Sequence, residues 1–379
     1  MAPHLLTRLP GLAGLARPSP LTRALPGAIV VASSLALAGC PHDWATYESV
    51  SSEAPGTGSS PNVPEAGADG PAALPGAEGG SAPGDGLFAT VPDKPLFIEA
   101  DADGIVVATT GGSVFSCDHH DCSASMRSIA SMQNDIRALA IGDDYVAWAA
   151  RGDHVVRRSS RSTPGPAQEA NENDGLVAVA VTSARLYWAV DAIDSPVATA
   201  DVRSCRPGVD CTNIVLATFA DGRVSELRFD GTDAFWLGEI GLAGCPIASC
   251  DADSKNRVVL SADPVSPNAL AVDADSVYYA TALDGGSIRA VSRLAIAGGA
   301  PSPRTLAKNL GVVTRLVATG TSVWITRGAA GAVSKVPRDG GAVTDVATNL
   351  ASPMGIARGG GYVYAACNGD GRVLRWKED

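Results

Sequence analysis

Eight cysteines and five histidines are the residues of this 379-residue chain whose types could support metal or nucleophilic chemistry. Six of the cysteines fall in three short-range pairs: Cys117-Asp-His-His-Asp-Cys122, Cys205-Arg-Pro-Gly-Val-Asp-Cys211 and Cys245-Pro-Ile-Ala-Ser-Cys250. Cys, His and Asp are all zinc ligand types, and the first pair encloses His119 and His120 between Asp118 and Asp121. Spacing argues against a metal centre, because consecutive side chains cannot all converge on one ion and the other two loops hold no His. The pattern predicts three local disulfides instead, Cys117 with Cys122, Cys205 with Cys211 and Cys245 with Cys250, each contributing roughly 2 kcal/mol in the chain-entropy model. Disulfides require an oxidising compartment, and the N-terminus points to one. Cys367 is left as a lone thiol and reads as a packing residue rather than a nucleophile. No nucleophile elbow, phosphate loop or dinucleotide fingerprint occurs in a convincing context, so neither a metal nor a cofactor is expected.

The elements that hold these residues form a repeat. Val277-Tyr278-Tyr279-Ala280-Thr281 recurs imperfectly as Ile105-Val106-Val107-Ala108, Val146-Ala147-Trp148-Ala149, Leu186-Tyr187-Trp188-Ala189, Ala234-Phe235-Trp236-Leu237, Val323-Trp324-Ile325-Thr326 and Val363-Tyr364-Ala365-Ala366. The steps between copies are 41, 40, 48, 43, 46 and 40 residues, the period of a propeller blade. Residues 269 to 308 show four strand signals in order: A at Ala269-Leu270-Ala271-Val272, B at Val277–Thr281, C at Ile288–Arg293 and D at Arg304-Thr305-Leu306-Ala307. The expected fold is all-β, a seven-bladed β-propeller of four-stranded antiparallel blades over residues 87–379. The last blade reaches only strand C at Arg372–Trp376, while Leu87–Val91 stands where a D strand precedes each later A strand. The N-terminal strand is therefore expected to complete the last blade and remove two exposed sheet edges.

Ligands of propellers meet the face built by the B-to-C and D-to-A loops. The residues leaving strand B there are Thr110, Arg151, Asp191, Glu239, Asp284, Arg327 and Asn368, a mixed polar rim suited to a protein or glycan partner. The insertion Asp191–Asp201 lengthens the same side in the third repeat. Arg151-Gly152-Asp153 has the form of an adhesion tripeptide and reads as coincidence.

Residues 1–39 have the form of a secretory signal, with Arg8, Arg17 and Arg23 ahead of the 11-residue apolar run Ala28–Ala38, too short to span a bilayer. The run ends in Leu37-Ala38-Gly39-Cys40, which resembles the bacterial lipobox and implies cleavage before Cys40 and acylation of its thiol. Pro41, where an Asp would imply inner-membrane retention, favours the outer membrane. The tether, 40–86, has 16 Gly or Pro, seven acids and no Lys or Arg in its last 46 residues, too little apolar surface to fold. As a flexible coil it would reach roughly 40 Å. Loss of the three leader arginines takes the formal charge from −11 to −14, which disfavours nucleic acid as a partner.

The B strands Val277-Tyr278-Tyr279-Ala280-Thr281 and Leu186-Tyr187-Trp188-Ala189 resemble the YWTD and NHL-type repeats, especially those of myxobacterial-type propeller lipoproteins. Val333-Ser334-Lys335-Val336-Pro337-Arg338-Asp339-Gly340-Gly341 matches the second half of that repeat, although the YWTD aspartate is missing from every copy. The resemblance implies a propeller. Some propellers of similar pattern are metal-dependent lactonases or lyases that use His and Glu, and here only His154 lies near the rim. The sequence therefore supports a monomeric, membrane-anchored, non-catalytic binding or scaffold module of the cell envelope, with a metal-dependent lactonase-like or lyase-like enzyme as the alternative.

Overall fold

The computed structural model describes residues 86–379, apart from 166, 172–174, 183–184, 192–199, 207–209, 220–223, 239–240, 248–256 and 263–268, with only the backbone of 171, 200 and 210–219. The leader, Cys40, Glu239, Cys250 and most of the Asp191–Asp201 insertion lie outside the described residues.

Each repeat folds as one four-stranded antiparallel sheet, and there are seven. In six of them four consecutive strands pair in the order A-B-C-D. Blade 5 is typical: Leu270–Val272, Ser276–Thr281, Ser287–Ser292 and Arg304–Ala307. Its B strand is buried at every position after Ser276. A strand covered on both faces needs apolar residues throughout rather than in alternation. Tyr278 and Tyr279, both fully buried, enter different cores: Tyr278 packs with blade 6 and Tyr279 with blade 4. Among the described residues there are seven such apolar clusters, each shared by two neighbouring blades, including one between blades 7 and 1. The A strands contact one another in sequence around the axis and back to the first. The result is a closed seven-bladed β-propeller.

Closure occurs as the strand order requires. Blade 7 takes A, B and C from Pro353–Gly359, Tyr362–Cys367 and Arg372–Lys377, and its outer strand is Gly86–Thr90. That strand pairs antiparallel with Arg372–Lys377, Gly86 opposite Arg375 and Thr90 opposite Arg372, with a bulge between Leu87 and Ala89. The C strand of blade 4, Gly241–Pro246, pairs with its B strand over six unbroken positions. Gly244 is required there, since a Cβ would lie 2.9 Å from both the Ala234 carbonyl and Ile296.

Strands B end and strands A begin on one face, the rim face; the A-to-B turns and C-to-D loops form the other. On that opposite face, among the described residues, three blade boundaries carry the same clamp. Arg161 of blade 2 reaches Asp101 in the A-to-B turn of blade 1. Arg293 of blade 5 reaches Asp230 and, at 2.7 Å, Asp233 of blade 4. Arg338 of blade 6 lies 2.5 Å from Asp273 of blade 5 and donates to the Tyr278 hydroxyl at 2.6 Å. The aspartates are fixed beforehand: Asp101, Asp230 and Asp273 each accept two N–H groups of their own turn through Oδ1.

At the boundary between blades 7 and 1 both partners are replaced. Cross-strand register puts His119 where the other blades have Arg161, Arg293 and Arg338, and Gly359 where they have the turn aspartate. His119 is buried. Its Nε2 lies 2.7 Å from the Asp101 carbonyl and its Nδ1 2.7 Å from the Tyr364 hydroxyl. A carbonyl only accepts, so Nε2 is the donor there, and in the neutral imidazole Nδ1 accepts from the tyrosine hydroxyl. The imidazole also stacks on the Tyr364 ring, with centroids 5.7 Å apart.

Of the expected disulfides, Cys117–Cys122 is formed, with Cα atoms 4.8 Å apart. Cys205 and Cys245 are also disulfide-bonded, their expected partners Cys211 and Cys250 falling among side chains not described. Cys367 is free and buried, and burial pushes its thiol up to about 11, which fits a packing residue.

Candidate functional site

The rim face is built from turns that leave strand B. Thr110 is exposed, and its N–H donates to the Lys94 carbonyl at 2.9 Å. Arg151 opens a 3-10 turn, Arg151–Asp153, and pairs with Asp135 at 2.9 Å. Asp191 is the buried last residue of its strand and accepts the Val224 N–H at 3.1 Å. Asp284 sits in a left-handed conformation, φ 55°, and pairs with Lys308 at 3.0 Å. Arg327 pairs with Asp345 and donates to Ser334 Oγ at 3.1 Å. Asn368 donates to the Pro95 carbonyl at 3.3 Å. The six described rim residues therefore do not converge on one point. Most of their partners, Lys94, Asp135, Val224, Lys308 and Pro95, belong to the chain that feeds an A strand, so the rim fixes the D-to-A loops around the ring.

Engagement of both charged side chains also accounts for Arg151-Gly152-Asp153. Arg151 is held by Asp135, and Asp153 is held by Arg157 at 2.6 Å. His154 follows as the left-handed cap of that turn and is exposed. Among the described residues no group of three or more His, Cys, Asp and Glu is placed to hold a metal ion.

Beside that turn the rim carries an apolar point that periodicity did not single out. Met132 lies in the loop entering blade 2, is 89% exposed and has φ 54°. The equivalent positions in the loops entering blades 6 and 7 are Asn309 and Asn349, also left-handed, and the following amides donate alike: Gln133 to Gly112, Leu310 to Gly286 and Leu350 to Gly331. Asparagine tolerates this conformation, whereas an unbranched apolar residue there costs on the order of 1 kcal/mol or more. The mount is rigid. Gln133 Oε1 accepts from Trp148 Nε1 at 2.9 Å and from Arg157 at 2.7 Å, and Arg157 also pairs with Glu169 at 2.7 Å. Burial lowers the basicity of Arg157, but the Glu169 and Asp153 carboxylates more than offset it.

The channel along the axis holds a second group of charged residues outside the predicted rim. Glu226, 6% exposed, accepts from Arg228 and Arg315 at 2.8 and 2.6 Å, and Arg228 also reaches Glu99 at 2.8 Å. These residues come from the A strands of blades 1, 4 and 6. Burial alone would make Arg228 easier to deprotonate, and the two carboxylates reverse this and hold it protonated. Arg315 also lies over the Phe97 ring, 5.3 Å from its centroid. The space left among them is about 30 Å³, room for a water molecule rather than an organic substrate. The sequence signal was the charge itself, placed in otherwise apolar A strands.

Solved structures with the same architecture include a streptogramin B lyase, with a TM-score of 0.59 and 11% identity over 78% of this chain and 97% of that one. The β-propeller domain of Cps50 (Swd1) from Myceliophteria thermophila aligns with a TM-score of 0.60 and 11% identity, covering 77% and 99%. The computationally designed Ika8 protein aligns with 0.54 and 15%, covering 77% and 98%. The likeness is one of fold. No family model and no curated protein matches the sequence. An enzyme, a designed protein and a further propeller domain on one architecture leave function to the site.

Proposed function

We propose that this protein is a lipid-anchored β-propeller of the cell envelope that acts as a non-catalytic binding or scaffold module, its rim face recognising a protein partner. The observation that carries this reading is Met132, an apolar side chain held out in an unfavourable backbone conformation on a loop braced by Gln133, Trp148 and Arg157. A rigid, pre-positioned anchor loses little entropy on binding, and interfaces concentrate their energy in such anchors. The Thr110 and Arg151 turns beside it supply a polar surround. The channel, occupied by its own ion pairs, leaves recognition to the faces.

A photo-crosslinking residue placed at Met132, with Leu294 as control, tests this in full-length protein in its native envelope. Leu294 is 76% exposed on the opposite face. The expected result is a discrete adduct from position 132 and none from 294. No adduct from either, or equal adducts from both, would overturn the reading. Anchoring is tested separately: a clickable palmitate analogue should label the protein, and Cys40→Ala should abolish the label.

A further inference from the structure

We propose that the Cys117–Cys122 loop is a redox-conditional latch on the strand that closes the ring. The two cysteines belong to the same apolar cluster as Ala89 and Val91 of the closing segment and Tyr364 and Val373 of blade 7. The short helix Cys122–Ser125, which the disulfide fixes, lies directly against the closing strand Gly86–Thr90. Between the cysteines, His119 reaches across the boundary to Tyr364, and its carbonyl accepts from Arg375 of the strand to which Gly86–Thr90 pairs. Arg375 in turn lies 4.5 Å from the centroids of both Phe88 and Tyr362, one ring on each neighbouring strand. One five-residue-separated disulfide thus shapes a loop whose helix, imidazole and carbonyl all bear on the seam.

No other blade boundary depends on such a loop for a strand supplied by the far end of the chain. The three Arg–Asp clamps join blades whose four strands are already consecutive, whereas Gly86–Thr90 is held on its single pairing partner and by what covers it. Opening the disulfide frees the loop to leave the seam and exposes the edge of Arg372–Lys377, a row of unpaired backbone groups able to join another sheet. The redox step is disulfide exchange with a dithiol. The S–S bond breaks, Cys117 and Cys122 each gain a proton and one of two electrons, and the dithiol closes to its own disulfide.

Hydrogen exchange on the full chain tests the latch. Cys117→Ser/Cys122→Ser and, with the disulfide retained, His119→Ala are compared with Cys205→Ser/Cys211→Ser. Amides of 86–91 and 372–377 are expected to exchange at least about tenfold faster in the first variant, and measurably faster in the second, while Ser322–Arg327 is unchanged. Acceleration of all blades together, the same seam effect from Cys205→Ser/Cys211→Ser, or an unchanged seam would each overturn the proposal. A second arm covers failure of the double variant to fold. Folded wild-type protein is incubated with dithiothreitol, Cys117 and Cys122 are alkylated, and exchange is read on the same sample. Seam-selective opening supports the latch; alkylated cysteines with an unchanged seam, or thiols that form only as the whole domain unfolds, reject it.

Discussion

The clamped blade boundaries and the boundary that closes the ring are built differently. Between blades 1 and 2, 4 and 5, and 5 and 6, an arginine at the end of strand C meets an aspartate that its own turn has already fixed. Between 7 and 1 the same two positions hold His119 and Gly359, and the contact becomes aromatic stacking on Tyr364, a short hydrogen bond to its hydroxyl and backbone packing, with the imidazole steadied by the Asp101 carbonyl of its own blade. Ordinary boundaries join neighbours in the chain, and a partly exposed ion pair adds modestly to a core that forms anyway. The closing boundary must hold residues more than 270 positions apart, such as Asn368 and Pro95, against the entropy of bringing them together. Close packing suits that task, because it excludes water and tolerates no slack.

Removing residues 86–92 should break the comparison outright. The ring loses its closing strand, and size-exclusion chromatography with light scattering should show oligomers, or calorimetry the loss of a cooperative transition. Glycine substitutions in the blade 7 turn sharpen the comparison. Gly360 and Gly361 both have positive φ, 58° and 79°, but a Cβ at 360 would lie 2.5 Å from the His119 ring while one at 361 meets nothing within 4 Å. Gly361→Ala should cost about 1 kcal/mol in denaturant unfolding and Gly360→Ala about 3 kcal/mol, the excess measuring the packing of His119. Alkali should act on the same blade, at the rim end of its B strand. Burial raises the Cys367 thiol to about 11, above its ordinary value, so between the two the unfolded state releases a proton that the folded state keeps. Stability is therefore lost as pH rises through this window, by up to about 2 to 3 kcal/mol, and the loss should be smaller by that amount in Cys367→Ala. The smallest effect belongs to the clamps: Arg161→Ala or Arg293→Ala should each cost about 1 kcal/mol or less, shrinking with added salt.

Blade number, strand order and ring closure were legible because each rests on a repeated local pattern: seven copies of strand B, and a strand signal at Leu87–Val91 standing where a D strand belongs. The clamps were legible in principle, since Arg161, Arg293 and Arg338 occupy one position of the repeat. The channel was not, because Glu226 finds Arg315 and Arg228 finds Glu99 only after distant A strands are brought around one axis. The rim residues were named from their place after strand B, yet what each one does depends on a partner in another loop. Thus Asp191 is a buried acceptor for Val224, while Thr110, from the equivalent turn, remains exposed. The role of His119 at the seam was not legible, because its partner Tyr364 lies 245 residues away.

Gly86 lies at the end of the closing strand opposite the rim, paired with Arg375 near the foot of blade 7. Any mechanical load carried by the preceding chain enters the domain there and first meets the hydrogen bonds to Arg372–Lys377. Tension along the strand would shear those bonds together, whereas tension directed outward would peel them one at a time from Gly86 toward Thr90. Anchored through Cys40 as proposed, the ring would hang from the same strand that closes it, and in single-molecule pulling from the N-terminus the blade 7 edge should be the first structure to yield.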